Sequence, residues 1–166
     1  MTKSILRKYA KLIVQMGVNI KKGQGAVILA DTAQSEIALM VAEEAYRAGA
    51  KWVDIRWTNQ DLDKMRYKKE SVKVLSATQE WEKARMQYEL DELPVRIWID
   101  SDDPDGLKGV NVEKMQKTNL ARMKVRKPYR DAMENKYQWT IVAVPSAKWA
   151  KTSRLSSRAA ILLSTI

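Results

Sequence analysis

Hydrophobic and polar positions follow two rhythms along this chain, and the switches between them divide it into helices and strands. Ile5, Leu6, Tyr9, Leu12, Ile13 and Met16 share one helical face, with Thr2 placed to cap that helix and Gly17 to stop it. Residues 26–30, Ala-Val-Ile-Leu-Ala, then form a short continuous apolar run, the mark of a parallel strand covered on both faces. Asp31 and Thr32 can cap a second helix, whose apolar positions Ile37, Met40, Val41, Ala45 and Ala48 lead to a stop at Gly49.

The rhythm next shortens to two. Val53, Ile55 and Trp57 alternate with Trp52, Asp54 and Arg56, and Val95, Ile97 and Ile99 alternate with more polar neighbours up to Asp100. Between these strands the pattern predicts a charged helical stretch over 59–75 and a helix over 79–90, with Trp81, Ala84 and Tyr88 on one side and Pro94 marking the entry to the next strand. Asn111 is placed to cap a long helix that Pro128 should kink or end, with a short helical piece over 129–135. Residues 139–144 are again continuous and apolar.

Strands that alternate with helices require crossover connections, which predicts an α/β fold: a Rossmann-like parallel sheet of about four strands flanked by helices. The two continuous runs, 26–30 and 139–144, suit central strands, and the two alternating ones suit the edges.

Ligands of such sheets bind outside the carboxyl ends of the strands. The candidate cleft residues are therefore Asp31, Thr32, Thr58, Asn59, Asp100, Asp102 and Ser146. They form no recognisable catalytic set, and as Asp, Asn, Ser and Thr they also serve as the caps and turn formers that strand-to-helix connections need. Gly23-Gln-Gly25 precedes its strand, whereas a dinucleotide-binding glycine loop follows one, so it is not read as a cofactor site. The acidic turn over 100–106 lacks the ligand order of a calcium loop, because Pro104 stands fifth and Gly106 seventh.

Composition narrows the chemistry. The 166 residues contain neither His nor Cys, which removes the usual general base, thiolate chemistry, disulfides and the commonest metal ligands. No apolar run reaches the roughly 20 residues that span a bilayer, and the basic N-terminal stretch lacks a signal core, which predicts a cytoplasmic protein with no membrane contact. A chain of this length suits one domain and buries about 70% of its unfolded surface.

Thirty Lys and Arg stand against 20 Asp and Glu, a net charge of +10. Much of the excess lies along 108–130, where Lys117, Arg122, Lys124 and Arg126 form a candidate basic patch for an anionic ligand or nucleic acid. A solvated helix face explains the same residues, and no base-reading motif accompanies them, so nucleic acid is disfavoured as a partner.

Several segments resemble a known family. Tyr9-Ala-Lys-Leu-Ile-Val-Gln-Met-Gly-Val-Asn-Ile-Lys-Lys-Gly-Gln24, Glu44-Ala-Tyr-Arg-Ala-Gly-Ala50, Asp103-Pro-Asp-Gly-Leu-Lys-Gly-Val110, Lys127-Pro128 and Trp139-Thr-Ile-Val-Ala-Val-Pro-Ser-Ala-Lys-Trp-Ala150 are similar, in order and spacing, to the N-terminal half of metalloaminopeptidases of the aminopeptidase T, aminopeptidase S and PepS type. The resemblance implies a cytoplasmic, metal-dependent exopeptidase that releases N-terminal amino acids from peptides. In that family a pair of divalent metal ions, of zinc or cobalt type, is held by Glu, His and Asp residues of a second domain.

The resemblance thus divides the chain into an N-terminal α/β domain over 1–151, predicted to bind no cofactor itself and to be inactive alone, and a tail over 152–166. That tail is Ser-rich and free of acids, and reads as aberrant, of frameshifted or truncated origin. The expected partners are a missing C-terminal peptidase domain, a peptide in the whole enzyme, and further copies of the chain through apolar surface, to which Ile161, Leu162, Leu163 and Ile166 would add. A purely structural or assembly role remains a third reading.

Overall fold

The computed structural model describes residues 2–101, 103 and 105–144. The element order is α1 (Lys3–Leu12), a π-helical turn (Ile13–Gly17), β1 (Gly25–Asp31), a short 3-10 turn (Thr32–Gln34), α2 (Ser35–Arg47), β2 (Trp52–Thr58), α3 (Gln60–Lys69), α4 (Val72–Ser76), α5 (Glu80–Glu92), β3 (Val95–Asp100), α6 (Val112–Met133) and β4 (Trp139–Ala143). The four strands make one all-parallel sheet flanked by helices, in the order β2-β1-β3-β4. The expected α/β class is therefore observed.

The order corrects half of the strand placement read from the pattern. β1 is central and β2 an edge, as expected, but the alternating β3 is central and the continuous β4 is an edge. Alternation misled at β3 because its polar position Arg96 is satisfied by an acid of α5 rather than by water. The apolar run of β4 misled in the other direction, since Trp139 and Ile141 are 58% and 60% exposed.

Register sorts the sheet into two faces. On one, Ala26, Ile28 and Ala30 align with Val53 and Ile55 of β2 and with Val95, Ile97 and Ile99 of β3. This face packs with Leu6, Ala10, Ile13 and Val14 of the first helix and its turn, and with Ile37, Val41 and Ala45 of α2, in a continuous apolar core. α1 meets the core on a rotated stripe: Leu6 and Ile13 are buried as expected, but Ala10 and Val14 join them while Ile5, Leu12 and Met16 are exposed. Thr2 caps α1 by accepting from the Ile5 amide, and the chain leaves the helix through the π-helical turn that ends at Gly17.

The opposite face is charged. Val27 of β1 lies between Asp54 and Arg96, and Leu29 lies between Arg56 and Trp98. α5 crosses above them and carries Glu89, which is only 3% exposed. Arg56 donates to one carboxylate oxygen of Glu89 at 2.5 Å, Arg96 donates to the other, and Arg85 stands 3.8 Å away. Three arginines around one buried acid satisfy the rule that buried charge must be paired. At the amino end of β1, Gly25 leaves room for the Trp52 indole, which a Cβ at Gly25 would meet at 2.2 Å.

The helices after β2 follow the predicted boundaries with two differences. The charged stretch over 59–75 divides into α3 and α4, each with its own cap: Asn59 accepts from the Leu62 amide and Ser71 from the Val74 amide. α6 runs through Pro128 to Met133, so of the two outcomes expected at Pro128, a kink or an end, the helix does not end there. Pro128 lies on an exposed stretch of that helix, where a carbonyl that loses its helical donor remains open to water. α5 ends at Leu93, in the left-handed conformation at φ 45°, and Pro94 follows directly. The tail over 152–166, including its apolar residues, lies outside the described residues.

Candidate functional site

The carboxyl ends of the four strands, Asp31, Thr58, Asp100 and Ala143, lie along one edge of the sheet, and the candidate cleft residues gather there. Asp31 and Thr58 are register partners. Asp31 accepts from the Ala33 amide at 2.8 Å and so caps the 3-10 turn. Asn59 both caps α3 and donates from Nδ2 to the Thr32 hydroxyl at 2.9 Å, tying the connection after β1 to the connection after β2. The Asp100 carbonyl accepts from the Val144 amide at 2.9 Å. Asp102 and Ser146 lie outside the described residues.

Asp31, Thr32 and Asn59 thus serve in caps and cross-ties, the roles that strand-to-helix connections impose. Two further residues, unmarked by the sequence pattern, complete it. Gln60 clasps the loop after β3, donating from Nε2 to the Asp103 carbonyl at 2.9 Å and accepting from the Asp103 amide at 3.1 Å. Gln34, buried, donates to the Val144 carbonyl at 3.0 Å. A glutamine in the first helical turn is the only local signal of such a clasp, and it is a weak one.

The candidate basic patch separates into different environments. Lys117 pairs with Glu113 at 2.7 Å on the surface, and Lys124 is exposed. Arg122 turns inward, donating to the carbonyls of Leu75 and Ala77 at 3.4 and 3.0 Å and to Glu82 at 2.5 Å. Glu82 also accepts from the Gln79 amide, at 2.9 Å, in a capping box that opens α5. Burial works against ionisation of Glu82, but the Gln79 amide and the Arg122 guanidinium outweigh it and hold the carboxyl below its ordinary value. The Gln79 and Glu82 spacing could have announced the capping box, but nothing in the sequence announced its arginine partner 40 residues on.

Arg126 has no hydrogen bond or ion pair among the described residues. Partial burial, with Arg122 and Arg85 nearby, pushes its guanidinium below the ordinary arginine value. It borders two depressions. One, of about 620 Å³, lies between α3, α4 and α6 and is lined by Arg66, Tyr67, Arg122, Lys127 and Arg130 besides Arg126. The other, of about 310 Å³, reaches down to Leu29 and Trp98 on the charged face of the sheet.

A metal site of the kind implied above has no counterpart among the described residues. Among the described residues no group of three His, Cys, Asp or Glu could hold a metal ion, and the whole sequence has neither His nor Cys. Glu89 is held by Arg56 and Arg96, Glu82 by Arg122, and Asp31 as a cap on the Ala33 amide. The residues described do not fit the metal pair.

The profile of the thermophilic metalloprotease (M29) family matches residues 2–161. The chain belongs to this family. Within M29 it is 32% identical over 150 residues to aminopeptidase PepS of Streptococcus thermophilus, covering 90% of this chain and 36% of PepS. It is 31% identical over 146 residues to aminopeptidase AmpS of Bacillus subtilis (strain 168), with 87% of this chain and 36% of AmpS covered. Aminopeptidase T of Thermus thermophilus is 29% identical over 147 residues, with 88% and 36% covered.

The solved structure of wild-type AmpT from Thermus thermophilus superimposes with a TM-score of 0.80 at 28% identity, over 90% of this chain and 38% of that one. The M29 match therefore rests on sequence and backbone together. This chain spans a little over a third of the length of the M29 relatives it matches, and corresponds to their N-terminal part. No described helix is long and apolar enough to cross a membrane.

Proposed function

We propose that this chain is the N-terminal, non-metal-binding α/β domain, over 1–151, of a cytoplasmic metal-dependent aminopeptidase that releases N-terminal amino acids from peptides. The observation that carries this reading is the M29 match over nearly the whole chain combined with coverage of only 36% of each relative. The described residues supply a sheet, caps and buried ion pairs, and no group able to hold a metal. On this reading hydrolysis and the zinc- or cobalt-type metal pair belong to a further region, and the chain alone is inactive.

The surface that meets that region is the outer edge of the sheet. β4 pairs with β3 on one side, and Trp139 and Ile141 stand exposed on the charged face, with Trp98 edge-on to Trp139 at 6.4 Å. Exposed aromatic and branched side chains on a strand edge favour burial against another surface. In the isolated chain the same surface promotes self-association.

The test is direct. Purified protein loaded with zinc or cobalt is expected to leave an aminoacyl anilide intact, while light scattering gives a mass above that of one chain. Hydrolysis that co-purifies with the chain and vanishes on chelation would overturn the inactivity. A monomeric mass at high concentration would overturn the association.

A further inference from the structure

The cationic cleft between α3, α4 and α6 is unused by the peptidase reading, and its composition is unusual. Five cations, Arg66, Arg122, Arg126, Lys127 and Arg130, line it against a single acid, Asp63. Arg122, Arg126 and Arg130 follow one another at four-residue spacing, so they stack on consecutive turns of one helix. Like charges so placed repel by about 0.2–0.5 kcal/mol per pair.

The neighbouring acids relieve this stack unevenly. Glu82 engages Arg122, which also serves the α4 carbonyls, and Asp131 engages Lys127 and, at 3.3 Å, Arg130 on the exposed surface. Such exposed pairs contribute little and exchange readily. Arg126, between them, makes no direct ion pair among the described residues and feels Glu82 only at longer range. Thr118 in the same wall is 2% exposed, and its hydroxyl has no hydrogen-bond partner among the described residues.

We infer that this cleft is a binding site for a small multivalent oxyanion, a phosphate or a carboxylate compound, with Arg126 at its centre and Arg130 and Lys127 beside it. A volume of about 620 Å³ suits a small molecule. A guanidinium presents a fork of donors that matches the two oxygens of a carboxylate or phosphate. Arg122 is the fixed wall of the site, because its partners belong to the fold. Binding here is independent of peptide hydrolysis, so it stands or falls apart from the peptidase assignment.

Calorimetric titration of the purified chain with pyrophosphate and, separately, with citrate tests the site. Saturable binding of one anion per chain is expected, weakening as salt is raised, and the stronger of the two identifies phosphate or carboxylate as the preferred group. Arg126→Gln should weaken that binding about tenfold or more, since hydrogen bonds to charged groups contribute about 1.5–3 kcal/mol. Lys11→Gln, which removes the same charge from α1 on the other side of the sheet, should leave it unchanged. Thermal melting confirms the fold of each variant, and if Arg126→Gln melts early, Arg130→Gln carries the same expectation. Absence of saturable binding by both anions, or equal weakening by Lys11→Gln, would overturn the site.

Discussion

The two faces of the sheet solve the same problem with opposite materials. One is sealed by α1 and α2 through small and branched apolar residues, among them Ala10, Val14, Ala26, Ala30 and Val41. The other is spanned by α5 through a buried carboxylate and its arginines, then left open toward β4. An apolar layer is tolerant of small changes in shape, whereas a buried ion pair is not, because a charge that loses its partner cannot be rehydrated. The difference separates a face covered by two helices from one that leaves Trp139 and Ile141 exposed.

The sharpest way to break this contrast is at Glu89. Glu89→Ala should destabilise the chain by about 3–5 kcal/mol in denaturant unfolding, because it strands Arg96 on β3 and leaves Arg56 on β2 with Asp54 alone. A loss below about 1 kcal/mol, the size expected of a surface pair, would mean that the ion layer is ornamental.

A smaller effect should appear with pH. The Glu82 carboxyl is held below its ordinary value in the folded chain, so it adds stability above the unfolded-state value, and that stability is lost as pH falls through the folded value. Acid titration of the melting temperature should therefore show a loss beginning near the ordinary Glu range and continuing below it. Glu82→Gln should remove that part of the slope; an unchanged slope would place the acid sensitivity elsewhere.

The smallest effect is expected at the open margin. Ile141→Thr should shift stability by no more than about 0.5 kcal/mol, the usual range for an exposed position, while reducing the mass seen by light scattering. A large loss of stability there would show that β4 is already covered within this chain.

Much of this was legible in the order of residues, for reasons that differ by element. Asn59 and Asn111 mark helix starts because their side chains bond locally to backbone amides, and local chemistry is written locally. The strands, too, were visible as short apolar or alternating runs. Their order was not. Arg96 makes β3 look half-solvated, although its charge is met by Glu89, seven residues earlier and one layer above. Trp139 and Ile141 make β4 look interior, although both are exposed.

The candidate site was legible only in part. Asp31, Thr32, Thr58, Asn59 and Asp100 do gather at the strand ends, because a parallel sheet brings all carboxyl ends together. That Asn59 reaches Thr32, or that Gln60 clasps Asp103, depends on the spacing of separate connections and is absent from any local pattern. The basic patch was misleading as a unit, since Arg122 is drawn inward while Lys117 and Lys124 remain outside.

The strand order also carries a chronology. β1 and β2 pair across one helix, whereas β1 must wait for the whole stretch of α3, α4 and α5 before β3 arrives, and β3 for α6 before β4. Closing longer loops costs more entropy before any pairing repays it. On a ribosome, where the N-terminal end emerges first, the unit from Gly25 to Thr58 is therefore the first that can dock, and the sheet then grows in one direction only. Among the described residues, β4 is the growing end of that process.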